Sequence, residues 1–343
     1  MRNIVIIGGG AAGMMAAIHA SRLGAQVTLL ERNPKLGKKV YITGKGRCNV
    51  TNDCTLDEFM KEVPRNPRFL YSALSYFTPQ SMMELLEDAG CPVVVQRGRR
   101  VFPASEKASD VTRALERLMR EGGVRIVYDA RVKEITAQDG AVTGVTLTDG
   151  RTLAADRVIV ATGGLSCPLT GSTGDGYRMA EALGHTVTPR SAVLSAIETA
   201  ESWPGELMGL SLRNVTLTMK KGKKTLYSEL GEMLFTHFGV SGPLVLTMSC
   251  HLPDNLADAS VTLNLKPGLT REQLRHPLET LTGRKTPGLR LIPYRSVGGT
   301  GLLLAQRFPE VTLGKRKGSA LVAFAPEGFE KEDAVQALTG GTL

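Results

Sequence analysis

Asn3-Ile4-Val5-Ile6-Ile7-Gly8-Gly9-Gly10-Ala11-Ala12-Gly13 decides how this chain folds. Asn3–Ile7 is a short unbroken apolar run, the pattern of a strand buried on both faces, and Ala11–Leu23 carries the small and apolar residues of a buried helix. Gln26–Leu30 reads as a second strand. A strand–helix–strand unit of about 30 residues predicts a right-handed parallel crossover and an α/β sheet. The turn between strand and helix satisfies G-x-G-x-x-G. A bare match of this kind says little in a glycine-rich chain, but its place after a buried strand and before a helix gives it meaning. Gly8 permits the sharp turn, Gly10 lets the main chain approach a pyrophosphate, and Gly13 lets the helix close on the strand. Ala17 and Gly24 are expected to keep helix and sheet close. Gly8, Gly10, Ala11, Ala12 and Gly13 are thus expected to hold an anion at the positive end of a helix. Glu31 closes the second strand, where its carboxylate can accept hydrogen bonds from a ribose 2′-hydroxyl and would repel a 2′-phosphate. The predicted ligand is an adenosine diphosphate without a 2′-phosphate, as in FAD or NAD rather than NADP.

Working outward, residues 55–90 read as helical, with Thr78 capping a helix from Pro79 that stops at Gly90. A further helix spans Ser109–Glu121. Segments Arg125–Tyr128, Val132–Ala137, Val142–Leu147 and Arg151–Leu153, with an Asp-Gly turn, predict an antiparallel meander. Arg157–Ala161 reads as another buried strand, ending at Thr162-Gly163-Gly164. From about Pro189 short alternating strands such as Val215–Met219 and Val261–Leu265 predict a small inserted antiparallel barrel or sandwich. Lys220-Lys221-Gly222-Lys223-Lys224 reads as a solvated hairpin turn. The expected division is a Rossmann-like α/β domain over 1–188 with a small helical subdomain, a β-barrel over 189–266, and a basic, irregular segment over 267–343.

Composition narrows the function. With 42% hydrophobic and 22% charged residues among 343, the chain has a globular balance. No run of about 18 apolar residues and no amino-terminal leader appear, so no membrane association is expected. The five cysteines form no C-x-x-C pair, which argues against a disulfide framework and fits a reducing cytoplasm. The net charge is +9, yet 5% aromatic residues offer no basic face interleaved with aromatics, so no nucleic-acid partner is expected. No histidine set has metal-ligand spacing, so no metal is predicted. No G-x-S-x-G elbow or G-x-x-x-x-G-K-[ST] loop supports serine hydrolysis or phosphoryl transfer.

FAD is separated from NAD by the two stretches beyond Glu31. Arg32-Asn33-Pro34-Lys35-Leu36-Gly37-Lys38-Lys39 and Ile42-Thr43-Gly44-Lys45-Gly46-Arg47-Cys48-Asn49-Val50-Thr51-Asn52 mix glycines, cations and amides where an extended chain could run along a flavin dinucleotide. Thr162 and Gly163 end a second glycine-terminated strand that suits a return toward the same cofactor. These stretches, with Gly171–Tyr177, Ala180–His185 and Gly231–Pro243, resemble the BaiN-like group of NAD(P)/FAD-dependent oxidoreductases, which includes proteins called aminoacetone oxidases, within the flavoproteins of two-dinucleotide-binding fold. The resemblance spans roughly residues 1–270. It implies an FAD-binding α/β domain interrupted by a β-barrel and a small helical subdomain. It further implies that Gly8, Gly10, Gly13 and Glu31 hold the ADP half, that Lys39, Gly44, Arg47 and Cys48 lie along the cofactor, and that the Val132 backbone holds adenine. The family's carboxy-terminal Gly-Glu-x-x-Asp and Gly-Gly-Tyr-Asn runs are absent, and Arg275–Leu343 matches little of the pattern, so a truncated or frame-shifted end is expected.

The expected chemistry is hydride transfer between a non-covalently bound flavin and a small organic substrate, at a pocket between the α/β and inserted domains, with NAD(P)H as a transient reductant. Lys45 and Arg47 are the cations expected to tune the flavin. His237 is the candidate acid or base, against the alternative of a hydrogen-bonded packing residue. Cys48 without a partner cysteine reads as packing, and Asp175 as a loop-shaping residue or a contact to ribityl hydroxyls. Two other classes stay open: an NAD-binding dehydrogenase, and a non-catalytic or defective flavoprotein. Oligomeric state is not legible.

Overall fold

The computed structural model describes residues 1–252, 256 and 259–269 and the backbone of strands Val311–Arg316 and Ser319–Phe324. Most of the expected 267–343 segment therefore lies outside the described residues. Contacts divide the chain into two units, Met1–Pro189 and Arg190–Leu343.

The first unit is built on a four-stranded parallel sheet in the order Arg157–Val160, Asn3–Ile7, Gln26–Leu30, Arg125–Val127. The apolar run at the amino terminus forms one of its two inner strands, covered on both faces. Ile6 and Leu29 turn to a core shared with Met14, Ala17 and Ile18 of helix Ala11–Arg22 and Leu115 of helix Ala108–Glu121. Val5, Ile7 and Leu30 turn to the opposite core, with Val132, Val145 and Leu147 of the meander. Truncating a fully buried Ile6 or Leu29 to alanine costs about 2–5 kcal/mol.

Three expectations change here. Arg125–Val127 does not open the meander. It pairs parallel to Gln26–Leu30, because helix Ala108–Glu121 supplies the crossover that parallel pairing needs. The meander is Val132–Gln138, Ala141–Leu147 and Thr152–Ala154. Arg157–Val160 is the sheet edge rather than a fully buried strand, and Val160 is exposed toward a cleft. Gly24 is not a close-packing glycine: a Cβ there would meet open space, and its φ of +80° shows that it is needed to turn the chain out of the helix.

The helical expectation over 55–90 resolves into Leu56–Lys61, Pro67–Tyr76 and Pro79–Asp88. Thr78 caps the last, accepting a hydrogen bond from the Ser81 amide at 3.1 Å. Beside them Thr51–Asn52, Arg100–Pro103 and Val93–Gln96 form a small antiparallel sheet.

The second unit holds a five-stranded antiparallel half-barrel in the order Ile197–Glu198, Gly239–Ser241, Lys224–Thr236, Ser211–Lys221, Ala259–Asn264. Alternation along Ser211–Lys221 points Leu212, Val215, Leu217 and Met219 into a core closed by Val245 and Met248 of helix Pro243–Ser249. Gly222 and Lys223 form the hairpin turn of the lysine run, with Lys221 opposite Lys224 and Gly222 at φ +55°.

Candidate functional site

A cleft of about 870 Å³ opens within the first unit, at the carboxyl ends of the parallel strands. This is where open α/β sheets bind ligands. Its first wall is the glycine turn. Gly8 takes φ +107° and lies against the Ala161 carbonyl, 2.5 Å from where a Cβ would sit. A Cβ on Gly13 would overlap the Gly8 carbonyl, so this glycine lets the helix close on the turn. Gly10 differs from both: a Cβ would meet nothing within 4 Å, and its backbone is extended at φ −78°. Helix Ala11–Arg22 begins there with no side-chain cap and no acidic residue in its first turn. Its leading N–H groups and positive dipole end therefore border the cleft uncompensated, a setting worth about 0.3–2 kcal/mol to an anion.

Glu31 is buried on this wall, and its partners explain how a carboxylate is kept there. One oxygen accepts from the Gly9 amide at 2.7 Å; the other accepts from the Asn33 amide at 2.8 Å and the Asn33 side chain at 2.6 Å. Glu31 thus pins the glycine turn. Two carboxylate oxygens offer about four acceptor sites, so three donors leave room for a hydroxyl. A vicinal ribose diol suits that remaining capacity. Together with the open space over Gly10, it shows that these residues fit the adenosine diphosphate half of a dinucleotide.

The second wall is Lys38–Val50. Helix Lys38–Ile42 comes after Gly37, whose amide donates to the Gly9 carbonyl at 2.8 Å, so the two walls are joined at their base. Gly44, Lys45, Gly46 and Cys48 then all take positive φ, between 57° and 88°. Lys45 and Cys48 bear the side-chain cost of that conformation, about 1–2 kcal/mol each. Cys48 is buried at the cleft, and burial pushes its thiol above the usual range, with a Thr43 hydrogen bond opposing the shift.

The structure brings Gly8, Gly10, Ala11, Ala12, Glu31, Arg32, Lys39, Cys48, Val132, Thr162 and Gly163 together around this cleft. Gly13 lies beneath it as a packing residue. Gly44, Gly46 and Arg47 do not line it. Arg47 is held elsewhere: its guanidinium stacks 4.5 Å over Phe102 and pairs with Glu106 at 3.2 Å. Lys39 reaches Ser166 at 3.0 Å. His237 belongs to the second unit, exposed in the turn before Gly239–Ser241, with its ring edge-on to Phe238 at 4.8 Å.

Sequence reasoning missed one feature of the cleft. Asp175, buried at the start of helix Asp175–Ala182, gathers Arg32 at 3.3 Å, Arg131 at 3.5 Å and Arg178, and accepts from Thr173 at 3.1 Å. Arg32 also donates to the Gly171 carbonyl, and Asn33 to the Thr170 carbonyl, both at 3.2 Å. Asp175 therefore clips the loop after the edge strand onto the end of the second strand. The Gly-Asp-Gly run signalled a shaped loop, but nothing along the chain announced its arginines. Among the described residues no three His, Cys, Asp or Glu side chains gather as a metal site, and no helix is long and apolar enough to cross a membrane.

A parallel sheet whose first crossover carries an open glycine turn, with a buried glutamate closing the second strand beside it, is the architecture of a dinucleotide-binding α/β protein. The HI0933-like protein Rossmann domain matches residues 2–306, and the chain belongs to this family of FAD-binding oxidoreductases. The match runs past Arg275, where the resemblance was expected to fade. The chain is 32% identical over 285 residues to a 3-dehydro-bile acid delta(4,6)-reductase of Clostridium scindens, covering 82% of this chain and 68% of that one. It is 32% identical over 301 residues to a ribosomal RNA dihydrouridine synthase of Haemophilus influenzae, covering 85% and 72%. Among solved structures it is similar to the open conformation of a flavocytochrome c3 fumarate reductase, at 19% identity and TM-score 0.46, covering 62% of this chain and 47%, about half, of that one.

Proposed function

We propose that this protein reduces a carbon–carbon double bond conjugated to a carbonyl, with FAD lying in the cleft and NAD(P)H as the source of electrons. The observation that carries the cofactor assignment is the open space over Gly10 beside an uncapped helix start and a glutamate with acceptor capacity to spare. Gly8, Gly10, Ala11 and Ala12 present main chain to the pyrophosphate, Glu31 takes the ribose, and Val132 borders the adenine. Lys39, Cys48, Thr162 and Gly163 line the path of the remainder, and Arg32 is set by Asp175. FAD, when bound, supplies hydride chemistry.

The reaction class is supported by what the relatives' names share. A 3-dehydro-bile acid with 4,6 unsaturation carries its double bonds in conjugation with a ketone. Making dihydrouridine saturates the 5,6 bond of uracil, which is conjugated to a ring carbonyl. Saturating such a bond adds a hydride, which the reduced flavin would supply, at one carbon and a proton at the other. We propose 1–188 as the cofactor-binding domain and 189–266 as the inserted domain, with His237 of the latter kept as the candidate acid or base.

The relatives differ in substrate size, and the ribosomal RNA name supports a second reading of the substrate, a uracil within RNA, against the expectation of no nucleic-acid partner. Purified full-length chain, reduced anaerobically with NADPH or NADH and offered cyclohex-2-enone and a uridine-containing RNA, tests both. Saturation of either double bond with oxidation of the flavin is the expected result. A bound flavin that neither nicotinamide reduces, and that neither acceptor reoxidises, would return the protein to the non-catalytic class; bound NAD alone would make it a dehydrogenase.

A further inference from the structure

Helix Pro67–Tyr76 buries none of its residues. Phe69 and Tyr76 are 86% and 75% exposed and, seven residues apart, share one face with Ala73 between them. Large apolar side chains left in water on one face mark a surface that meets a partner. Arg68, next to Phe69, is exposed as well.

The neighbouring hairpin adds the charge. Its turn, Arg97-Gly98-Arg99-Arg100, projects from strands Val93–Gln96 and Arg100–Pro103, with all three arginines exposed. Glu58 takes both terminal nitrogens of Arg99, at 2.7 and 3.0 Å, which fastens the turn to helix Leu56–Lys61, and that helix packs on Pro67–Tyr76. Asn52 further donates to the Gly98 carbonyl at 2.9 Å. With Arg99 neutralised, Arg97 and Arg100 have no carboxylate partner among the described residues. Over residues 57–76 and 97–100 there are six Lys and Arg against three Asp and Glu. The turn is also tied to the cleft: Val50 lines it, and Asn52, opposite Arg100, is two residues or about 7 Å further along the strand.

We infer that this surface is a platform for single-stranded RNA, resting on the RNA reading of the substrate. Arg68, Arg97 and Arg100 contact phosphates, and Phe69 and Tyr76 stack on unpaired bases, holding the strand beside the cleft that a uracil enters. Stacking on exposed aromatics flanked by arginines is how unpaired strands are bound without base-specific contacts. A base whose 5,6 bond is to be reduced has to be out of a stacked duplex, so the platform and the chemistry call for the same state of the RNA.

The test is fluorescence anisotropy of the flavin-loaded full chain with a labelled oligouridine strand across a salt series. Arg97→Glu/Arg100→Glu is expected to weaken binding about tenfold or more and to flatten the salt slope, by about 0.7 per lost phosphate contact. Phe69→Ala/Tyr76→Ala is expected to weaken it by about tenfold or more with the slope unchanged. Both variants keep wild-type flavin content and wild-type rates on cyclohex-2-enone. Wild-type affinity in both variants overturns the platform and leaves the RNA reading standing. A wild-type chain that reduces cyclohex-2-enone but binds no oligouridine overturns both. A dimer that Phe69→Ala/Tyr76→Ala converts to monomer assigns the face to a second copy and overturns the platform.

Discussion

The two walls of the cleft are built on opposite principles. The glycine turn is held by packing: Gly8 and Gly13 sit where any Cβ would strike backbone, and only Gly10 between them faces open space. The Lys38–Val50 wall instead places Lys45 and Cys48 in the left-handed region that side chains avoid. In the first wall residue choice relieves strain, and the one unfilled position is the one proposed to face the pyrophosphate. In the second wall strain is retained, the mark of a segment shaped for a site rather than for stability.

Substitutions can break this contrast. The largest effect is expected for Gly13→Val, whose side chain would overlap the Gly8 carbonyl: the chain should lose about 3 kcal/mol or more and yield little folded protein, as read by thermal denaturation. Gly10→Val should separate folding from binding. Its stability should stay within about 0.5 kcal/mol of wild type, because the backbone suits an L-residue and the space is empty, while flavin content falls at least about tenfold. If Gly10→Val unfolds the chain as Gly13→Val does, the two positions are not distinct. Glu31→Ala stands between them, removing the acceptor for the Gly9 amide and the ribose together, at a cost of about 1–3 kcal/mol in stability and a weaker flavin Kd by titration.

On the second wall the sign reverses. Lys45→Gly should stabilise the apo chain by about 1 kcal/mol, a modest rise in Tm, since glycine takes φ 59° without strain. An unchanged or lower Tm would mean that the left-handed turn costs nothing. The smallest effect concerns Cys48. Burial raises its thiol, so at neutral pH it is protonated, and iodoacetamide should label the half-buried Cys167 and Cys250 of the native protein while sparing Cys48 until the pH is raised. Rapid labelling at pH 7 would place a reactive thiolate at the cleft.

The crossover was legible in the sequence because Val5, Ile6 and Ile7 are apolar without alternation, which only two-sided burial explains, and because the glycines fall at fixed offsets from that run. Glu31 was legible as a carboxylate at the end of the second strand but not as the anchor of the Gly9 amide, since its lone-pair use depends on where Asn33 folds. Arg47 was misplaced because a cation's direction is decided by Phe102 and Glu106, more than fifty residues away. The Asp175 cluster was hidden for the same reason: Arg32, Arg131 and Asp175 meet only through the sheet. A low aromatic content likewise gave no warning that Phe69 and Tyr76 would share one uncovered helical face.

The most direct test of the account is mass spectrometry of the small molecule released from purified wild-type chain, run beside Gly10→Val. Intact FAD from the wild type and little or none from an equally folded Gly10→Val protein is the predicted result. No adenine dinucleotide in the wild type, or FAD retained at full occupancy by Gly10→Val, would contradict the placement of the cofactor on the amino-terminal glycine turn.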